Sequence, residues 1–159
     1  MPVEIRTATP EDAGTIAELN VDVQQIHADA HPWRFKPPGP YTFTEKDAQD
    51  LLGNPGYFAF LAFDEGVPTG YLVAEIAYRP ETARQFAHEL IYIHEIGVRP
   101  GARRKGIGGL LLDAAKEHAQ SLQIPLLTLD TWSFNEDALR FFQKNGLVPV
   151  SVRFWNKCE

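Results

Sequence analysis

Cysteine is almost absent from this chain: Cys158 stands alone among 159 residues. One thiol cannot close an internal disulfide, so a disulfide-stapled scaffold is excluded and a reducing compartment is expected. Cys158 lies beside the C-terminus and is read as incidental. Long apolar runs are missing too. None approaches the roughly 20 residues that a membrane-spanning helix needs, so no membrane partner is expected. Basic charge is in deficit, with 15 Lys and Arg against 21 Asp and Glu, a formal net charge of -6. That balance argues against a nucleic-acid partner, which calls for a broad basic face. The opening stretch "MPVEIRTATPEDAG" lacks the basic-then-apolar pattern of a signal peptide, which gives a cytoplasmic expectation. No internal repeat or low-complexity tract occurs. A chain of this length with 44% apolar residues predicts one globular domain over residues 1–159.

The pattern along the chain predicts a mixed α/β fold. "VEIRTAT" alternates as a strand, and Pro10, Glu11 and Asp12 suit a helix start. Ile16, Leu19, Val23 and Ile26 form an apolar stripe on a helix that ends before Pro32. "TEKDAQDLL" opens with a threonine cap and an acid three residues on, predicting a short helix. "YFAFLAF" and "YLVAEIAY" read as strands, and "LIYIHEIGV" as a central strand. Residues 80–89 fit loop or helix. After "RPGARRKG", the residues Ile107, Leu110, Leu111, Ala114 and Ala115 follow helical spacing. "PLLTLDTW" reads as a buried strand, and "NEDALRFFQKNG" as a helix capped by Asn135 and stopped by Gly146. "LVPVSVRFW" reads as a closing strand, free to pair with a partner, so a homodimer is among the allowed assemblies.

Against the acidic background, "VRPGARRKGIGG" gathers Arg99, Arg103, Arg104 and Lys105 beside Gly106, Gly108 and Gly109. It falls between a strand and a helix. The first N–H groups of a helix lack internal partners, glycine admits a close approach, and the dipole attracts anions. A pyrophosphate cradle is one reading, and a tightly packed basic turn is the other. The spacing is not a P-loop, because no Lys-Ser or Lys-Thr follows the second glycine. "GIGGLL" also lacks the third glycine of a dinucleotide fingerprint.

"RRKGIG" resembles the Arg/Gln-x-x-Gly-x-Gly/Ala signature of the GNAT acetyltransferase superfamily, with Arg103, Gly106 and Gly108 at its fixed places. "EIGVRPGA" resembles the strand that runs into that turn, and "NEDALRFFQKNGL" resembles the family's N-x-x-A-x-x-F-Y-x-x-x-G-F helix. The resemblance implies a mixed sheet with helices on both faces, a splayed parallel strand pair, and acetyl-CoA as co-substrate. It implies that the amides of Arg104, Lys105, Gly106, Ile107, Gly108 and Gly109 hold the pyrophosphate. It further implies that Ile96, Gly97 and Val98 pair with the pantetheine arm, and that Asn135, Ala138 and Phe142 border the cofactor. Phe142 departs from the family: it takes the place of a tyrosine whose hydroxyl can protonate the leaving sulfur.

Acetyl transfer to an amine needs a base, and Glu95, a carboxylate in an apolar strand, is the leading candidate. His94 is the alternative, and strict alternation would let only one of the two reach the cleft. Ile96 to Val98 could supply an N–H for the developing oxyanion, and Gly97 could form a bulge that parts the strands. In the family the segment after the first helix lines the acceptor pocket, so His31, Trp33 and Phe35, with Tyr41, are candidate substrate contacts, with a cover over the core as the other reading. His27 and His31 share a helical spacing but no third ligand, so no metal is expected. Trp132 and Trp155 read as packing residues, and Asp130 as either an acceptor contact or a loop cap. These residues together point to an N-acetyltransferase acting on a small-molecule or peptide amine. The rival from another class is a CoA-binding module without turnover, which Phe142 favours. A third reading, a nucleotide-phosphate enzyme, fits the glycines but lacks metal-binding carboxylates beside them.

Overall fold

The computed structural model describes residues 2–159. A five-stranded sheet carries the fold: β1 (Glu4–Thr7), β2 (Tyr57–Asp64), β3 (Val67–Arg79), β4 (His88–Val98) and β5 (Leu127–Leu129), in that spatial order. The first four run antiparallel, and β5 lies parallel to β4. Helices α1 (Ala13–Ala30) and α2 (Glu45–Leu52) cover one face, and α3 (Ile107–Ser121) and α4 (Glu136–Lys144) the other.

Strand alternation divides the core into these two layers. Ala59, Leu61, Tyr71 and Val73 join Ile16 and Leu19 beneath α1 and α2. Leu72, Ala74, Ile91 and Ile93 join Ile107, Leu111 and Leu112 beneath α3. α2 begins with the expected cap: Thr44 Oγ1 accepts from the Asp47 N–H at 3.1 Å, and Asp47 Oδ2 accepts from the Thr44 N–H at 2.8 Å.

Four sequence expectations change. Pro10–Asp12 form a 3-10 turn, and α1 starts only at Ala13, because Asp12 is held by Arg6 and by the Thr9 N–H. "PLLTLDTW" contributes only the three half-buried residues of β5. The closing strand does not form: residues 147–159 carry no regular structure, and from Val148 onward they are exposed. The bulge lies at His94 and not at Gly97. Val73 pairs with Glu95 and Ala74 with Ile93, which leaves His94 as the extra residue, whereas Tyr71 and Gly97 pair in regular register.

Gly97 has a different reason to be glycine. A Cβ there would lie 2.6 Å from Val23 Cγ2 and 2.9 Å from the Tyr71 ring. Its bare backbone is what lets α1 lie down on β4. Residues 80–87 form a loop. No helix among the described residues is long and apolar enough to cross a membrane.

Candidate functional site

The bulge decides what the α1 face of β4 presents. Alternation would send His94 and Glu95 to opposite faces, but the extra residue puts both on the α1 side. The neighbours show it. Glu95 meets Asn20 on α1 and Tyr71 on β3, while His94 stacks on Tyr57 with ring centroids 5.4 Å apart. The expectation that only one of the two reaches this face is therefore corrected.

Glu95 is the centre of a small polar cluster in an apolar layer. Asn20 Nδ2 donates to its Oε1 at 3.0 Å, and the Tyr71 hydroxyl donates to its Oε2 at 3.3 Å. Asn20 Nδ2 also donates to the Tyr71 oxygen at 3.1 Å. Asn20 and Tyr71 are buried. Burial pushes the Glu95 carboxyl above the usual glutamate range, against the opposing pull of the Tyr71 hydrogen bond, the nearby His94 and His27, and Asn20. Burial next to this carboxylate likewise pushes the Tyr71 phenol well up, so it remains a donor. The result is a carboxylate held in one orientation, with a proton affinity raised toward neutral pH.

His94 is tied differently. Its Nε2 lies 2.9 Å from Glu75 Oε1, and its ring meets Tyr92 edge-on. The Tyr92 hydroxyl donates to Asp130, and burial together with that bond pushes the phenol up to about 12. Asp130 is thus an acceptor for a neighbouring strand's tyrosine.

Aromatic rings continue the same face. Asn20, His27 and His31 recur along one side of α1. His27 Nδ1 donates to the Val23 carbonyl at 2.8 Å, and its ring meets Phe35 and Phe134. His31 meets Trp33, Trp132, Phe134 and Trp155. Arg34 lies over Trp132, and Lys157 over Trp33. Trp132 and Trp155 therefore belong to this cluster with His31, Trp33 and Phe35, while Tyr41, 91% exposed, stands outside it. No group of three potential metal ligands occurs among the described residues.

Behind Glu95 the sheet opens. β4 and β5 pair only from Ile91 to Ile93, opposite Leu127 to Leu129, yet β4 runs on through Ile96, Gly97 and Val98. Its edge toward β5 is left without a strand partner there. The basic turn follows directly. Arg104 and Gly106 both adopt left-handed backbone, with φ of 69° and 75°, and a Cβ on Gly106 would meet nothing within 4 Å. The N–H groups of Ile107, Gly108 and Gly109 then begin α3, where helix geometry provides no internal acceptor.

The turn's charges do not act together. Arg103 Nε donates to the Val98 carbonyl at 3.3 Å, and Lys105 Nζ pairs with Asp64 at 2.9 Å. Arg104 is left exposed at the turn. Gly108 and Gly109 are close-packing positions: a Cβ on Gly108 would sit 2.8 Å from the Phe141 ring, and one on Gly109 3.4 Å from Asn145 Oδ1. Ile107 points its side chain into the core. Asn135 caps α4, its Oδ1 accepting from the Ala138 N–H at 3.2 Å, and Ala138 packs on the core. The Phe142 ring is buried. A surface hollow of about 490 Å³ lies elsewhere, lined by Asp22, Asp64, Thr69, Arg99 and Lys105, and holds none of the Glu95 cluster.

Comparison with known proteins agrees with this arrangement. An uncharacterized N-acetyltransferase of Bacillus subtilis, YhfO, is 44% identical over 150 residues, covering 91% of this chain and 89% of its own. N-alpha-acetyltransferase 60 of Xenopus tropicalis is 27% identical over 117 residues, 65% of this chain, and the match spans only about half (48%) of that relative. The solved structure of a tetramutant of the BH1408 protein from Bacillus halodurans superposes with a TM-score of 0.92 at 23% identity, covering 98% of this chain and 99% of that one. The aminoglycoside N-acetyltransferase AAC(6')-Iy, solved in complex with CoA, superposes at 0.74 with 20% identity, covering 98% and 95%. These two likenesses concern the fold. Residues 20–147 match the acetyltransferase (GNAT) family, and the chain belongs to that family.

Proposed function

We propose that this protein transfers an acetyl group from acetyl-CoA to a primary amine, by direct attack within a ternary complex. The observation that carries the proposal is Glu95: a carboxylate of raised proton affinity, held by Asn20 and Tyr71, at the point where β4 loses its β5 partner. The chain's own features suit the co-substrate. The left-handed turn at Gly106 is open to approach, and the N–H groups of Ile107, Gly108 and Gly109 would receive a pyrophosphate. The unpaired edge of β4 from Ile96 to Val98 would receive an extended amide-bearing arm, as a sheet edge receives a peptide. Acetyl-CoA supplies the activated acetyl carbonyl.

Glu95 removes the proton that an ammonium must lose before it can attack. A backbone N–H between Ile96 and Val98 donates to the carbonyl oxygen as charge grows on it. The new C–N bond forms as the C–S bond breaks. Phe142 offers no hydroxyl, so solvent returns a proton to the sulfur. His31, Trp33 and Phe35 border the side from which the amine enters, a small molecule or peptide. His94, drawn to Glu75, is the second candidate base. The single exposed Cys158 suits residence in a reducing compartment such as the cytoplasm.

The aminoglycoside N-acetyltransferase was also solved with a CoA–acetylneamine bisubstrate analog, and the N-alpha-acetyltransferase relatives bear amine acylation in their names. Both support amine acylation here. The test is thermal stabilisation by acetyl-CoA, followed by free-thiol release against a panel of primary amines. Stabilisation with amine-dependent thiol release is expected. Stabilisation without release from any amine would favour a non-catalytic CoA-binding module, the reading that the buried, hydroxyl-free Phe142 supports.

A further inference from the structure

The last strand expected from sequence is present as a pattern but not as a pairing. In "LVPVSVRFW" the apolar residues alternate, and Val148, Val150, Val152 and Phe154 are 75%, 92%, 75% and 88% exposed. No backbone group of residues 148–154 is hydrogen-bonded to the backbone of its own chain. Unpaired N–H and C=O groups on a β-branched, alternating segment form a template for strand addition. The same chain carries the complementary deficit. β5 is the last strand of the sheet, bonded only to β4, with Leu126 beside it 46% exposed.

We infer that a second copy of this chain covers this arm. Residues 150–154 of each protomer add to the β5 edge of the other, reciprocally, across a two-fold axis. The exchange satisfies both deficits with one kind of contact, as an isologous dimer requires. Pro149 has no N–H, so it suits the entry to a strand that becomes the new edge of the partner's sheet. The left-handed turn at Gly146, with φ of 88°, releases the arm from α4, and Trp155 anchors its far end against Trp33 and Trp132. The available area is sufficient. Burial removes on the order of 60–120 Å² for a valine and about 150–250 Å² for a phenylalanine. Over two arms and the surfaces receiving them this comes to roughly 1,300–2,400 Å², against the roughly 1,200–2,000 Å² of a stable interface. The partner therefore fixes the arm whose next residue, Trp155, borders the candidate site.

This inference is independent of the proposed reaction and needs no activity assay. Sedimentation of the full chain over a wide concentration range should give twice the chain mass. Val150→Asp with Val152→Asp should halve it while leaving the far-UV and near-UV circular dichroism unchanged, because both side chains are exposed within their own chain. Amide exchange should show the 150–154 and β5 amides protected in the native dimer and released in the variant. A wild-type monomer at every concentration would overturn the inference. So would a variant that remains dimeric, or arm amides that exchange freely within a dimer.

Discussion

Asn20 shows how one side chain sets the chemistry of another. It sits on the apolar stripe of α1 between Leu19 and Val23, where a fully buried amide needs partners. It finds them in Glu95 and Tyr71. Both donors favour the charged carboxylate, so removing either raises the Glu95 proton affinity further. Asn20→Ala and Tyr71→Phe should each move the acid limb of the kcat/KM profile to higher pH, with a smaller effect on the plateau. An unmoved limb would make both residues merely structural. Away from the site, Asp12 is held down to about 2, chiefly by its hydrogen bond from Arg6. A carboxyl depressed in the folded state stabilises the fold above its unfolded value and loses that contribution as pH falls toward about 2. Asp12→Asn should cost about 1 kcal/mol at neutral pH, after discounting for solvent, and almost nothing at the acid end. Melting curves at the two pH values check this.

Elements meet here through glycines. α1 approaches β4 at Gly97, and α4 approaches α3 at Gly108, each with a Cβ position already occupied by a neighbour. Gly97→Ala and Gly108→Ala should each destabilise by about 1–3 kcal/mol, the cost of overpacking, read as a lowered denaturant midpoint. Gly97→Ala should also lower activity, because Val23 and Tyr71 would have to shift beside Glu95. The sequence made most elements legible because their signals are local. α1, α2, β2, β3, α3 and α4 follow from apolar period, caps and turn residues. The bulge was not legible, since it depends on how β4 registers against β3, and alternation alone misassigned one of His94 and Glu95. The closing strand was overread for a related reason: alternation specifies a willingness to pair but not a partner within the chain.

For the whole molecule, Glu95 and the glycine turn could be found in the sequence, but the residues that hold Glu95 could not be assembled there. Asn20 and Tyr71 lie 75 and 24 residues from it. A polar residue on α1's apolar stripe was the available signal for Asn20, and shared parity with Val73 for Tyr71. The sheet brings the base, the unpaired stretch of β4 and the α3 N-terminus together, and that conjunction makes amine acetylation the best reading. The most direct test is the pH dependence of kcat/KM for amine-dependent thiol release, in the wild type and in Glu95→Gln. The account predicts a wild-type acid limb above the ordinary glutamate range. It predicts that Glu95→Gln abolishes that limb and lowers kcat/KM by about 10²–10⁴, the usual contribution of a general base. Full activity with an unchanged limb in Glu95→Gln would contradict it.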